Sequence, residues 1–154
     1  LYVQTLNGAT MGTKKSILHD CLYFTANSLS RIITRMAEEE FRKTGLSPSY
    51  AFLVMLVMDD PGIGQKALCE QLNLAPSTVT RFVDALVQKG YLTRQSIGKT
   101  ANIYPTAQGI ALRESIDAAW TSLHMRYAAV LGLEAGDELT AAIDRAAAKL
   151  GSTG

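Results

Sequence analysis

A chain of 154 residues that is 47% hydrophobic can bury a substantial core, as one domain or as two small units sharing one, and is too apolar for a disordered segment. Its 15 basic and 14 acidic residues nearly cancel, so no global basic field marks nucleic acid as a partner and any such role must rest on a local patch. Arg31, Arg35, Asp59 and Asp60 interrupt every apolar run before the roughly 18 residues of a membrane span, so a soluble protein with no membrane partner is expected.

In chain order, residues 1–15 read as a tail. The ten residues before Met11 have neither the charged region nor the cleavage site of a signal peptide and are read as partly vector-derived. The M-G-x-x-x-S pattern that follows suits myristoylation, but its Met11 is internal and the pattern is set aside. From Ser16 to about Lys43, the residues Leu18, Leu22, Leu29, Ile32, Ile33 and Met36 recur at three- and four-residue intervals, which predicts one long amphipathic helix. Gly45 stops it; Ser47 and Pro48 then supply the cap and first position of a second helix, "SYAFLVMLVMDD", apolar nearly all round and so expected at the centre of the core. "DDPG" breaks that helix.

"GQKALCEQLNL" predicts a short amphipathic helix with Gly64 as its N-cap. Pro76 starts the next helix after a turn too short for antiparallel packing, so the pair is a helix-turn-helix. In this second helix Val79, Phe82, Val83, Leu86 and Val87 share one face, leaving Ser77, Thr78, Thr80, Arg81 and Asp84 on the other. Short hydroxyls around one arginine are not the Glu and Lys of an ordinary solvated face, and they permit close approach. The helix ends at Lys89-Gly90. "YLTRQS" and "NIYPT" then predict two antiparallel strands around a glycine-bearing tip, "IGKTA", with Pro105 at an edge or boundary position. Thr106 caps a helix at "AQG", and Ile110, Ile116, Trp120, Leu123, Tyr127, Val130 and Leu131 mark one long helix ending at Gly132. A last helix carries Leu139, Ile143, Ala147 and Leu150.

A helix-turn-helix followed at once by a ribbon predicts a mainly α fold with a small β-ribbon, a winged helix-turn-helix. The second helix of such a pair can enter a DNA major groove about 12 Å wide if its outward face is narrow and can hydrogen-bond. Ser77, Thr78 and Thr80 are short enough to let the backbone approach, and Arg81 can reach a guanine edge with its planar fork. Lys66 on the preceding helix, with Arg94 and Lys99 on the ribbon, would supply phosphate contacts that position without specifying.

The stretch "PGIGQKALCEQLNLAPSTVTRFVDALVQKGYLTR" and the junction "IYPTAQG" resemble the multiple antibiotic resistance regulator (MarR) family of transcriptional regulators, over about Asp20 to Leu150. The resemblance implies a homodimer joined through its N- and C-terminal helices, here 16–46 and 106–154, around a DNA-binding unit at 47–105. It also implies a pseudo-palindromic double-stranded operator, and repression relieved by a small aromatic ligand or by oxidation. Ser77, Thr78, Thr80 and Arg81 match the family's recognition-helix positions. The wing departs from the pattern: the family's Asp-x-Arg at the tip falls on Ile97-Gly98-Lys99, so only the charge of Lys99 remains. Dimerisation follows also from leftover surface, because a three-helix winged core cannot cover the apolar stripes of both terminal helices.

Two routes to a signal are open. "DCLYFTANSLSRIITR" resembles the first helix of the family's organic-peroxide sensors, which makes Cys21 a redox candidate; the tyrosines that support the sensor cysteine are replaced by Arg35 and Ser47, and a plain core cysteine is the competing reading. Cys69, between Leu68 and Leu72, reads as core, and the cysteine usage fits a reducing cytoplasm. Alternatively a ligand pocket is lined by Tyr23, Phe24, Tyr50, Phe52 and Met55, unless these side chains are ordinary packing. His19 and His124 lack a catalytic constellation, no phosphate loop follows a strand, and no metal-ligand spacing occurs, so neither an enzyme nor a cofactor is expected. The alternative function is a degenerate winged helix that binds protein and not specific DNA.

Overall fold

The computed structural model describes residues 14–98 and 100–152. They divide into two compact units, the boundary falling between Met36 and Ala37. The tail up to residue 13 and Lys99 lie outside the described residues.

The expected single helix over 16–43 is two helices, α1 (Lys14–His19) and α2 (Leu22–Phe41), followed by a 3-10 turn, Arg42–Thr44. The chain breaks at Asp20-Cys21, where His19 and Asp20 are poor helix formers and the Cys21 amide turns back to the Leu18 carbonyl at 3.2 Å. α2 restarts with the Cys21 carbonyl accepting both the Thr25 amide at 3.0 Å and the Thr25 hydroxyl at 3.1 Å. Periodicity reads through such a break because one turn of lost hydrogen bonding leaves the apolar spacing intact. In the first unit the His19 ring meets the edge of Phe24 at 5.8 Å.

The second unit begins within α2. Gly45 ends the 3-10 turn in the left-handed region at φ 74, and Ser47 caps α3 (Pro48–Asp59) by accepting the Tyr50 amide at 3.4 Å. α3 is central as expected: Ala51, Leu53, Val54 and Val57 are inaccessible to solvent. Each such leucine or valine contributes about 1.5–3 kcal/mol by leaving water. Phe41 of α2, Leu68 of α4 (Gln65–Leu72), Val79, Val83 and Leu86 of α5 (Pro76–Gln88), and Ile116 of α7 (Arg113–Leu131) complete this core.

The ribbon has a third strand. β2 (Leu92–Ile97) and β3 (Thr100–Pro105) form the expected hairpin, and β1 (Ile63–Gly64) adds to the other edge of β3, giving the antiparallel order β1-β3-β2. Ile63 pairs with Ile103, both buried, and the Gly62 amide donates to the Ile103 carbonyl at 2.8 Å. Two residues are too few to show a period, and only the pairing partner distant in sequence makes them a strand. The tip is also tighter than expected: Ile97 pairs with Thr100, so only Gly98 and Lys99 connect the strands, and Gly98 takes the positive φ of 66 that two-residue hairpins demand. Pro105 stands at the end of β3, opposite Leu92.

The helix expected from Ile110 onward is preceded by a short anchored turn, α6 (Ala107–Ile110), and starts as α7 only at Arg113. α6 is held by its first residues. Thr106 donates its hydroxyl to the Gly90 carbonyl at 2.6 Å, accepts the Gly109 amide at 3.0 Å, and donates its own amide to the Tyr91 carbonyl at 3.0 Å. A Cβ on Gly109 would stand 2.1 Å from that Tyr91 oxygen. The "PTAQG" junction is therefore a clamp on the end of α5. Gly132, at φ 87, separates α7 from α8 (Leu133–Gly151).

Candidate nucleic-acid interface

α4 and α5 are joined by Asn73, in the left-handed conformation at φ 51, and by the extended Ala75, after which Pro76 occupies the first position of α5. Proline at that position loses no hydrogen bond, because the amide it lacks would be an orphan donor in any case. The buried face of α5 is the expected one: Val79, Val83 and Leu86 are inaccessible, and the Phe82 ring meets the edge of Tyr50 from α3 at 4.9 Å. This leaves the start of α5 facing outward with its positive helix end.

The predicted contact residues divide into two groups. Ser77 is exposed and Thr78 half-buried, and no described residue engages either hydroxyl. Arg81 is exposed, forms no ion pair among the described residues, and holds its guanidinium 5.9 Å from the Phe82 ring centroid. Lys66 extends into solvent, with Glu70 one turn on at 4.0 Å. These four stand available to a ligand.

Thr80 and Arg94 are committed within the protein. The Thr80 hydroxyl donates to the Pro76 carbonyl at 2.9 Å and accepts from the Gln65 side-chain amide at 2.5 Å. Arg94, on β2, donates to Asp84 of α5 at 2.5 Å, so the ribbon is tied to the outward edge of the helix. Lys99 lies outside the described residues. Sequence reasoning missed Gln65 altogether and took Asp84 only as a face residue; the partners of both are 10 or 15 residues away, beyond the reach of any local pattern.

Of the candidate pocket residues, Tyr23 and Phe24 belong to the first unit, the former well exposed. Tyr50, Phe52 and Met55 belong to the second, where Tyr50 packs on Phe82 and Phe52 meets the edge of Phe41 at 5.3 Å. Cys21 is exposed and Cys69 half-buried.

Two groups of charged side chains join helices of the second unit. Arg113 pairs with Asp59 at 2.5 Å, joining α7 to the end of α3. Arg126 bridges Glu39 at 2.6 Å and Glu40 at 3.0 Å, and Ser122 donates to Glu40 at 2.7 Å. The Ser122 hydroxyl and the Arg126 guanidinium hold the Glu40 carboxyl below its ordinary value, and Glu39 with Glu40 raises that of Arg126. His124 stacks on Trp120 at 5.8 Å and lies 4.0 Å from Asp137 of α8, a pairing absent from the sequence reading. Among the described residues no cluster of three or more His, Cys, Asp or Glu side chains could hold a metal ion, and no helix is long and apolar enough to cross a membrane.

The helix-turn-helix and the three-stranded sheet together define a winged-helix fold. Residues 46–97 match the model of the MarR family, the family that the sequence resembles. Solved structures share the fold at low identity. The transcriptional repressor CouR bound to a 23-mer DNA duplex superposes with a TM-score of 0.79 at 18% identity, covering 88% of this chain and 99% of that one. CouR from Rhodococcus jostii RHA1 bound to p-coumaroyl-CoA gives 0.73 at 21% identity, over 84% and 94% of the two chains. MepR from S. aureus, in complex with DNA, gives 0.72 at 15% identity, over 86% and 98%. No curated protein matches the chain.

Proposed function

We propose that the protein is a cytoplasmic transcription regulator that binds a pseudo-palindromic DNA duplex as a homodimer, with 47–105 as the DNA-binding unit and 16–46 and 106–154 supplying the dimerisation helices. The observation that carries the reading is the outward start of α5, where Ser77, Thr78 and Arg81 stand uncommitted at the positive end of a helix whose opposite face is sealed in the core. Such a helix end attracts a phosphate, and an arginine one turn further on can reach a guanine edge. Lys66 adds a phosphate contact, as would Lys99 at the wing tip, while Arg94 and Thr80 act from their partners within the fold. That CouR and MepR, of the same fold, hold DNA supports this reading.

The dimer is supported by large apolar side chains exposed on the terminal helices: Leu22 and Tyr23 on α2, Met125 and Val130 on α7, and Leu133 on α8. A twofold pair would present two α5 helices to half-sites about one turn of B-DNA apart. The regulator acts as a repressor, released by a small aromatic ligand or by oxidation. Binding of an aromatic thioester by CouR supports the first route, and Tyr50 against Phe82 is a contact through which a ligand near Tyr50, Phe52 and Met55 would reach α5. For the second route, exposed Cys21 is the thiol open to an oxidant. A ligand weakens DNA binding only by its preference for the non-binding arrangement. No enzymatic activity is proposed for a chain with this family segment.

The test is fluorescence anisotropy with the promoter of its own gene and a shuffled duplex across a salt series. Tighter binding to the promoter is expected, with log affinity falling linearly against log salt. Equal weak binding to both, unchanged by Arg81→Ala, would favour the protein-interaction module instead.

A further inference from the structure

We propose that Gln65 is a positioning residue for DNA reading, acting through Thr80; the inference rests on the DNA-binding function proposed above. Gln65 occupies the first position of α4, and its side-chain amide crosses the turn of the helix-turn-helix to α5. There it donates to the Thr80 hydroxyl at 2.5 Å and approaches the Pro76 carbonyl at 3.4 Å. A threonine hydroxyl has one hydrogen and two acceptor lone pairs. The hydrogen goes to the Pro76 carbonyl at 2.9 Å and one lone pair receives the Gln65 amide. What remains is a single acceptor site in a fixed direction. Thr80 therefore cannot donate to a phosphate, and it can accept only from a donor such as an adenine or cytosine amino group in the major groove. Gln65 does two things at once: it sets the hydrogen-bonding sense of Thr80, and it fixes the first turn of α5, which carries Ser77 and Thr78, against α4. Its effect should fall on discrimination between sequences, because the charge of Lys66 and the positive helix end attract phosphate whatever the sequence, whereas the direction of the Thr80 acceptor matters only to a base edge.

The experiment first enriches duplexes from a randomised library with the full-length protein, then measures affinity for the enriched duplex and for a shuffled one. The variants are Gln65→Met, which keeps length but removes the donor, Gln65→Glu, Thr80→Val and the double variant Gln65→Met with Thr80→Val. Urea midpoints are recorded in parallel. Gln65→Met should lower the preference for the enriched duplex by roughly 3- to 10-fold and leave the shuffled duplex unchanged. The double variant should lose no more than Thr80→Val alone, since both remove one link. Gln65→Glu should lose preference as well, because Thr80 must turn its hydrogen from Pro76 to the carboxylate. Unchanged preference in Gln65→Met overturns the inference, as does an equal loss on both duplexes tracking a lower urea midpoint, which is the mark of a structural role alone. Failure to enrich any duplex with the wild-type protein overturns the DNA-reading function itself, and the inference falls with it.

Discussion

Arg81 and Gly109 show two different ways in which one residue matters. Arg81 is held by little, its guanidinium lying near the adjacent Phe82 ring, so removing it should leave the fold alone. Arg81→Ala is expected to cost roughly 1 to 3 kcal/mol of affinity on an enriched duplex, read by anisotropy, with a stability change inside about 0.5 kcal/mol. Gly109 is the opposite case. A methyl group there would meet the Tyr91 carbonyl at 2.1 Å, and neither backbone can yield while Thr106 bonds both Gly90 and Tyr91. Gly109→Ala should destabilise by at least about 2 kcal/mol in urea unfolding, at the upper part of the range for overpacking. The sequence showed Thr106 as a cap, and the cap exists. It could not show that the same threonine and glycine clamp the end of α5, because Gly90 and Tyr91 lie about 16 residues earlier and reach them only once the β2-β3 hairpin has folded.

At the scale of elements, Asp84 and Arg94 join α5 to β2, and Glu39, Glu40, Ser122 and Arg126 join α2 to α7. Asp84→Asn should lower stability by less than about 1 kcal/mol, since both partners are partly solvated. It should also release Arg94 toward a phosphate, steepening the slope of log affinity against log salt by about one in the anisotropy series. Glu40 titrates below its ordinary value of 4.5 in the fold, so its contribution to stability is full above that pH and is lost as the pH falls through the folded value. Arg126, raised by Glu39 and Glu40 above an already high ordinary value, adds no pH dependence in the same range. Urea midpoints of wild type and Glu40→Gln should therefore differ at pH 7 and converge as the pH falls through the lowered folded value of Glu40. α3, with its Ser47-Pro48 start, and α5, with its periodic apolar face and Pro76 at its start, were legible from the sequence because their hydrogen bonds close within four residues. The break at Asp20-Cys21 and the strand Ile63–Gly64 were not, being a lapse of one turn in the first case and a pairing across 40 residues with Ile103 in the second.

For the whole molecule, the proposed homodimer would cover the apolar side chains exposed on the terminal helices. Sedimentation equilibrium should give twice the chain mass, and Val130→Asp, at a side chain 81% exposed and so outside the folded core, should shift the protein toward the single-chain mass without lowering its helix content. A monomeric wild type would remove the twofold symmetry on which a palindromic operator depends. The sequence by itself determined the helix-turn-helix, its caps, the ribbon and the family resemblance, since these follow from spacing and turn chemistry within short windows. Only the tertiary structure decided which hydroxyls and guanidinium groups of that helix remain open to a ligand. Ser77, Thr78 and Arg81 stay available, Arg94 is taken by Asp84, and Thr80 keeps only one acceptor site beside Gln65 and Pro76, because a side chain's hydrogen-bonding capacity is finite and its partners are set by packing between elements.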